Sequence, residues 1–528
     1  MKKLRIAIVG SGFAGSILAR GLHLQGHRVT LLDRQRHPRF ALGESSTPLA
    51  ALSLERLAKL PGLEDLRNLA AYGRWQRELP RLRCGLKRGF TFYQHRPGEP
   101  YANGPENDSR LLVAASPTEA VADTHWLRAD VDAYLFERAR EEGVECLEEA
   151  EVTGVGKEKD QVGGEWRLEG RWQGSRFEAA ADLLFDASGA GGFLARWLAI
   201  PRADCELETS LVYGHFDGLC PFADVAPGAE LPPGPYPDER AAVHHLLREG
   251  WMYILPFDDG VVSAGFVLAE PAARERAAQL APEAAWQEIL DRYPTLAAQF
   301  EGATPVFPIR FVPRLQQRFE RAAGRDWALL PHAFAFYSPM FSTGIAWSLL
   351  AIERLLAITA AAGDGDALAP GLARYDRLLR REASYLLRFV AGAYRAALRD
   401  FDLFCAWTDL YFAAASFHEL RQRLCAEGGS AWAWDGFLGS TDPRMEAALT
   451  ETDGDLRALA GPLTGGSRRR FAAAVRRRIE PYNVAGLADP ARSRLYPVDL
   501  EALRRDPHKM GLTARELEER LYRLRGDS

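Results

Sequence analysis

Arg5-Ile6-Ala7-Ile8-Val9-Gly10-Ser11-Gly12-Phe13-Ala14-Gly15 is the stretch on which the fold turns. The run from Arg5 to Gly10 is continuously apolar and ends in glycine, as in a strand buried in a parallel sheet. Helical spacing follows from Ser16 to Leu24, and a second strand, Arg28 to Leu32, ends at Asp33. Strand, glycine turn, helix, strand and acid within about thirty residues is the layout of a dinucleotide-binding unit. Gly10 permits the tight turn, Gly12 lets a pyrophosphate approach the backbone, and Gly15 lets helix and strand pack closely. The helix N-terminus offers unpaired N–H groups to phosphate oxygens, with Phe13 and Ala14 of the turn before it beside the cofactor. Asp33 is placed to accept a hydrogen bond from a ribose 2′-hydroxyl.

Working outward, a late strand ending in Asp186-Ala187-Ser188-Gly189 accompanies such a fingerprint in FAD proteins rather than in NAD dehydrogenases. No second complete Gly-x-Gly-x-x-Gly in a strand–helix context supplies an NADPH domain, so the expected dinucleotide is FAD. A helix is expected over Pro48 to Ala58 and another over Leu127 to Glu142, led by Arg128. By spacing alone, Arg128 is as much a solvated helix-start charge as a partner for flavin phosphates. Residues 206 to 268 read as sheet, with Met252 to Phe257 and Val262 to Leu268 joined as a hairpin by Asp258-Asp259-Gly260. The chain returns to the first domain at the short strand Trp327 to Leu330. An apolar loop, Pro331 to Phe341, leads to Ser342-Thr343-Gly344 and a helix from Ile345. Amphipathic helical runs follow at 374–398 and 402–425, with a basic one at 467–480, and Gly363-Asp364-Gly365-Asp366 is the clearest linker-like break.

The class predicted is α/β. A Rossmann-like FAD-binding domain takes residues 1–205, including the segment around Lys87, and is completed by 311–362. A β-rich substrate subdomain is inserted at 206–310, and a helical region covers 363–528. The 528 residues are too many for one hydrophobic core. A net charge of −5 provides no field for nucleic acid. Arg468-Arg469-Arg470 and Arg476-Arg477-Arg478 read as a solvated helix face rather than a phosphate patch. Six cysteines without a C-x-x-C pair indicate neither a zinc site nor a disulfide framework, and no metal is expected. The first strand starts too soon for a signal peptide. The apolar helix from Ile345 carries Glu353 and Arg354, so it is expected to be buried in protein rather than in a membrane. A cytoplasmic location is the default.

Six segments, in their order and spacing, resemble the flavin-dependent halogenase family, in its phenol- and pyrrole-halogenating branch. They are Gly10 to Gly15, His37-Pro38-Arg39-Phe40, Gly43-Glu44-Ser45-Ser46-Thr47-Pro48, Cys84 to Phe92, Trp251 to Pro256, and Pro339-Met340-Phe341-Ser342-Thr343-Gly344. The resemblance covers roughly residues 1 to 350. It implies an FAD-binding fold like that of para-hydroxybenzoate hydroxylase, with Arg39 and Gly344 joining Gly10, Gly12, Phe13, Ala14, Gly15, Asp33, Arg128 and Asp186 around the cofactor. It also implies use of FADH2 from a separate flavin reductase, with O2 and chloride or bromide, to make hypohalous acid. That oxidant travels to a substrate chamber, where a lysine matching Lys87 forms a haloamine or hydrogen-bonds the acid, and the aromatic ring attacks the halogen.

Taken alone, Lys87 would be one more surface ammonium; its neighbours single it out. Burial would lower it from about 10.4, as the haloamine route requires. Glu44 matches the family's second polar residue and would orient the lysine or stabilise the cationic ring intermediate; its ordinary alternative is an N-cap before Pro48. Thr343 and Gly344 at a helix start would hold the halide, while Phe90, Phe92, Tyr93, Trp251 and Tyr253 would line the substrate chamber. An electron-rich ring such as a phenol, free or tethered to a carrier protein, is the implied substrate, within secondary-metabolite biosynthesis.

Three departures stand out. The family's Trp-x-Trp-x-Ile-Pro is here Trp251-Met252-Tyr253-Ile254-Leu255-Pro256; the common Gly-Asp is Pro331-His332; and Asp-Pro is Ser338-Pro339. They keep two other functions in view: a flavin monooxygenase or reductase with an incidental Lys87, and a flavin-binding protein without catalysis.

Overall fold

The structure, a computed structural model, describes residues 3–157, 164–226, 231–361, 367–425, 431–459 and 461–526. The chain divides into two compact units, each assembled from separated pieces of sequence. The first comprises Met1–Cys84, Trp126–Cys205 and Gln316–Ser384, and the second Gly85–His125, Glu206–Leu315 and Tyr385–Ser528.

A five-stranded parallel sheet forms the middle of the first unit, in the order Trp327–Leu329, Leu183–Asp186, Arg5–Val9, Arg28–Leu32, Glu145–Leu147. Its central strand is apolar from Ile6 to Val9, with Ile6, Ala7 and Ile8 buried, as in a parallel sheet covered on both faces. The register aligns Val9 with Leu32 and with Asp186, and Asp186 with Leu329. The Gly10 turn, Asp33, Asp186 and Pro331 therefore emerge together at the carboxyl ends of adjacent strands, where open α/β sheets bind ligands. The fingerprint helix, Phe13–Leu24, begins three residues before the expected Ser16, and the helices Pro48–Leu57 and Arg128–Glu141 lie where the spacing predicts them, with ends displaced by a residue. A three-stranded antiparallel sheet, Ala150–Lys157, Trp166–Trp172 and Ser175–Ala181, is an addition the sequence pattern did not suggest.

Pro331 to Phe341 is more ordered than the expected loop: Pro331–Phe334 is a helical turn and Ala335–Phe336 a short strand paired with Gln317–Arg318. The next helix is Thr343–Ala361, beginning two residues before Ile345. By length and composition it could cross a membrane, but 72% of its apolar window is buried inside the protein. Its Arg354 is fully enclosed with Glu382, and Trp347 Nε1 donates to the same carboxylate at 2.8 Å.

A nine-stranded sheet organises the second unit. The strands Ser210–Asp217, Val262–Leu268, Gly250–Pro256 and Ala242–Leu247 are successive antiparallel neighbours. The Asp258-Asp259-Gly260 hairpin forms as expected, closing on the pair Pro256 and Val262. Ala242–Leu247 then pairs in parallel with Gly89–Gln94, which pairs with Arg110–Ala114. This corrects two expected boundaries. Residues 85–125, with Lys87, group with the substrate sheet and not with the FAD-binding domain, because Gly89–Gln94 is a strand of that sheet. The helical C-terminal region is not one body either. The helix Leu368–Ala397 contributes residues through Ser384 to the first unit and the remainder to the second. Further helices are Phe401–Cys425, Pro443–Ala458 and Gly465–Ile479. Arg468 pairs with Asp400, and Arg478 with Glu451 and Asp455, so the basic helix is partly neutralised by neighbours. The expected break at Gly363-Asp364-Gly365-Asp366 lies outside the described residues.

Candidate active site

In the first unit, the sheet's carboxyl edge gathers the residues expected around FAD. A Cβ on Gly15 would collide with the carbonyl of Gly10, so only glycine allows this helix so close to its strand. A Cβ on Gly12 would stand 3.4 Å from Arg128 Nη2 and from Asp132 Oδ2 and 3.7 Å from Arg39 Nη2, so that backbone lies beside two guanidinium groups and the carboxylate they share. A diphosphate fits such a cradle, with Ala14 and Gly15 in the first helical turn. The Phe13 N–H is already committed to Asp132 Oδ1 at 3.0 Å, and the Phe13 ring lies under Arg128 at 4.8 Å.

Asp132 ties this edge together. Wholly buried, it accepts from Arg128 Nε and Nη2, each at 2.9 Å, and lies 3.7 Å from Arg39 Nη1. Arg128 Nη1 also donates to the carbonyls of Leu42 and Gly43, so this arginine braces the Gly43-Glu44 loop, and it is no solvated helix-start charge. Asp33 accepts from Ser11 N and Oγ, from Arg39 Nη2 and from Gln35 N. Burial works to raise its carboxyl, but the Arg39 charge and these bonds bring it below the ordinary value. Asp186 is spent on its own turn, accepting from Ser188 N and Leu194 N. Glu44 is buried, and its carbonyl accepts from Trp126 N at 2.6 Å.

Thr343 and Gly344 form the first turn of the helix Thr343–Ala361, reached through Ser342 in the left-handed region (φ 53°). A Cβ on Gly344 would strike His332 Nε2, so the imidazole packs directly on this helix start. Burial, helped by the Arg128 charge, pushes His332 down to about 4, leaving it neutral at physiological pH. The departure at Pro331-His332 thus places an uncharged ring where Gly-Asp is usual.

In the second unit, Lys87 ends the strand Cys84–Lys87, which pairs with Asp123–Trp126. Lys87 is 0% exposed, with Nζ 4.1 Å from the centre of the Phe90 ring. Burial pushes the ammonium down to about 7, against the opposing pull of Asp123. Asp123 is itself buried, and burial pushes its carboxyl up to about 7 against the pull of Lys87. His125, on the same strand as Asp123, is pushed down to about 3 by burial and then by the Lys87 charge.

An aromatic wall continues from Phe90. Alternation along Gly89–Gln94 puts Phe90 and Phe92 on one face. His244, on the parallel neighbour, stacks on both, at 5.8 and 4.6 Å between ring centres, and on Trp251 at 5.1 Å. Trp251 Nε1 donates to Tyr394 Oη at 2.6 Å, and Tyr253 lies 6.1 Å from Trp251, ring to ring. Phe404 and Phe412 close on Phe92 and Phe90. Lys87, Phe90, Phe92, Trp251 and Tyr253 are thereby brought together, whereas Tyr93 alternates to the opposite face, stacks on Phe222 and donates its hydroxyl to Asp238 Oδ2 at 2.5 Å. Asp132, Asp123, His125, His244 and His332 were not anticipated. Asp132 follows Arg128 at helical i,i+4 spacing and was recoverable from that pattern; the others needed the sheet pairing or the turn to place them.

Residues 5–375 match the family model described as FAD dependent oxidoreductase. The chain is 28% identical over 415 residues to monodechloroaminopyrrolnitrin halogenase PrnC of Pseudomonas fluorescens, covering 77% of this chain and 70% of that protein. It is 31% identical over 352 residues to tetracycline 7-halogenase of Kitasatospora aureofaciens, covering 65% of this chain and 60% of that one. Among solved structures, halogenase PltM in complex with phloroglucinol and FAD shares the fold, with a TM-score of 0.80 at 22% identity, over 93% of this chain and 99% of that one.

Proposed function

The chain belongs to the FAD-dependent oxidoreductase family, and from that premise we propose that it is a halogenase acting on an electron-rich aromatic ring, a phenol above all, with Lys87 meeting the halogen. The observation that carries this is the lysine itself. An amine enclosed by protein, over Phe90 and titrating near neutrality, is built for chemistry rather than for solubility.

When bound and reduced, FAD would supply, with O2 and chloride or bromide, the hypohalous acid the reaction consumes. Gly12, Arg39 and Arg128 would hold its diphosphate, and Asp33 and Asp186 shape the loops at that edge. Thr343 and Gly344 would take the halide at their helix start, where backbone donors and the helix dipole favour an anion. The neutral His332 beside them adds no positive charge of its own. Glu44 is retained as an orienting carboxylate.

Near pH 7 a large share of Lys87 is uncharged, so its lone pair can take the halogen, while its remaining N–H can hydrogen-bond hypohalous acid. Phe90, Phe92, Trp251 and Tyr253 present aromatic faces against which a flat ring stacks. A phenol is activated enough to attack the halogen. We place the enzyme in the cytoplasm, fed by a separate reductase.

The test is reconstitution with FAD, a flavin reductase, NADH, O2 and bromide or chloride on a panel of phenols, indoles and pyrroles, read by product mass. Wild type should give halogenated product and Lys87→Met none, with flavin binding equal in both. Hydroxylated product, or an active Lys87→Met, refutes the proposal.

A further inference from the structure

We propose that Asp123 is the proton partner of Lys87, a positioning residue that acts through the lysine and keeps the site electrically neutral through the halogen transfer; this rests on the halogenase reading above. The geometry starts from two buried groups on paired strands. Lys87 is 0% and Asp123 3% exposed, and Asp123 Oδ2 is buried without a hydrogen-bond partner. An unpartnered buried carboxylate oxygen is costly unless it is neutralised or in use. Other charged and titratable groups act on the pair. Glu419 and Arg423, joined to each other across a helical turn, act on Asp123 from the helix Phe401–Cys425. His125 and His244 face the lysine side; burial holds His125 neutral, and its Nε2 is directed to the Ala241 carbonyl at 3.3 Å.

Burial works against the charge on each group, pushing the ammonium down and the carboxyl up, so amine with carboxylic acid becomes accessible beside ammonium with carboxylate. Moving the proton between them changes no net charge, which matters where each uncompensated charge costs several kcal/mol. The sequence of steps then balances. The neutral amine attacks hypohalous acid; the N–halogen bond forms, the O–halogen bond breaks, and the amine proton and hydroxide leave as water. The ring carbon next takes the halogen, and the N–halogen bond breaks with its electron pair staying on nitrogen as Asp123 returns a proton to it. The cationic ring loses its proton to the Lys87 amine, giving ammonium beside carboxylate. Internal transfer restores amine and acid. The net reaction is ring C–H plus hypohalous acid to ring C–halogen plus water, with no further acid, base or reductant.

Asp123→Asn keeps the shape and removes the exchangeable proton. Two readouts are needed, both on the full-length flavin-loaded protein. The first is the pH dependence of Lys87 acetylation, followed by peptide mass spectrometry without turnover. Wild type should show a midpoint near 7, and Asp123→Asn one below about pH 6, since the carboxylate that supports the ammonium is gone. The second is product yield. Asp123→Asn should halogenate at least about 100-fold more slowly while hypohalous acid still accumulates and can be trapped in solution, and Asp123→Glu should restore most of the rate. Unchanged midpoint and rate in Asp123→Asn would overturn the pairing. So would a wild-type lysine midpoint above about 9.5, a measurement that stands even if the variant does not fold. If the midpoint shifts but wild type yields no halogenated ring, the pairing survives and the halogenase reading fails.

Discussion

Replacing Lys87 by methionine should abolish halogenation and at the same time make the protein more stable near pH 6.5. A drop from 10.5 to about 7, at about 1.4 kcal/mol per pH unit, sets a ceiling of roughly 5 kcal/mol on the strain this lysine imposes. Water penetration and relaxation soften a buried charge, so a gain of about 2–3 kcal/mol is expected. The sign follows from linkage. The folded-state value of the lysine lies below its unfolded value, so its penalty is absent above pH 10.5, grows as pH falls toward 7, and is constant below. Asp123 runs the other way: its raised carboxyl costs nothing below 3.8 and increasingly more up to about 7. Removing Lys87 lets that carboxyl climb further, which is felt only above pH 7. The advantage of Lys87→Met should therefore be full at and below about pH 6.5 and vanish toward pH 10. Urea unfolding midpoints of both proteins at pH 6.5 and pH 10, with flavin bound to the same extent, provide the assay. A variant less stable than wild type at pH 6.5, or equally advantaged at both pH values, would refute the reasoning. Loss of activity with gain of stability is the expected mark of a strained functional group.

Other consequences are as direct. Gly15→Ala should lose FAD binding, read by visible absorbance of the purified protein, because the added methyl meets the Gly10 carbonyl and pushes the helix off its strand. Gly344→Ala should displace the His332 ring and raise the KM for halide about 10-fold or more, with a smaller change in flavin affinity, measured by chloride titration of product formation. Arg354→Met should destabilise the first unit by about 3–5 kcal/mol by stranding the enclosed Glu382 carboxylate, and the double variant with Glu382→Met should recover most of that loss in thermal melts.

Much of the flavin edge could be read in one dimension because its parts are local. Strand, glycines, helix and Asp33 follow one another, and each residue type answers a backbone demand that glycine or an acid alone meets. Asp186 was legible as a strand-end acid, but its role was not: its bonds run to Ser188 and Leu194, within the same turn. Arg128 stood open between two readings until its contacts with Asp132, Leu42 and Gly43 showed it bracing the loop before Pro48. The domain boundaries failed where sheet pairing is long-range. Gly89–Gln94 joins Ala242–Leu247, and nothing in the alternation of either strand names the other as partner.

What the sequence determined by itself was the chemistry on offer: a dinucleotide turn, a lysine in a glycine-flanked strand, aromatic residues at alternating positions and a small-residue helix start. These are properties of short segments, set by backbone freedom and by period. What only the tertiary structure decided was the condition of Lys87. Its burial, its place over Phe90 and the charge of Asp123 acting on it depend on strands from separated regions closing around it. An amine's proton affinity is a property of its surroundings, and those surroundings exist only once the sheet has formed.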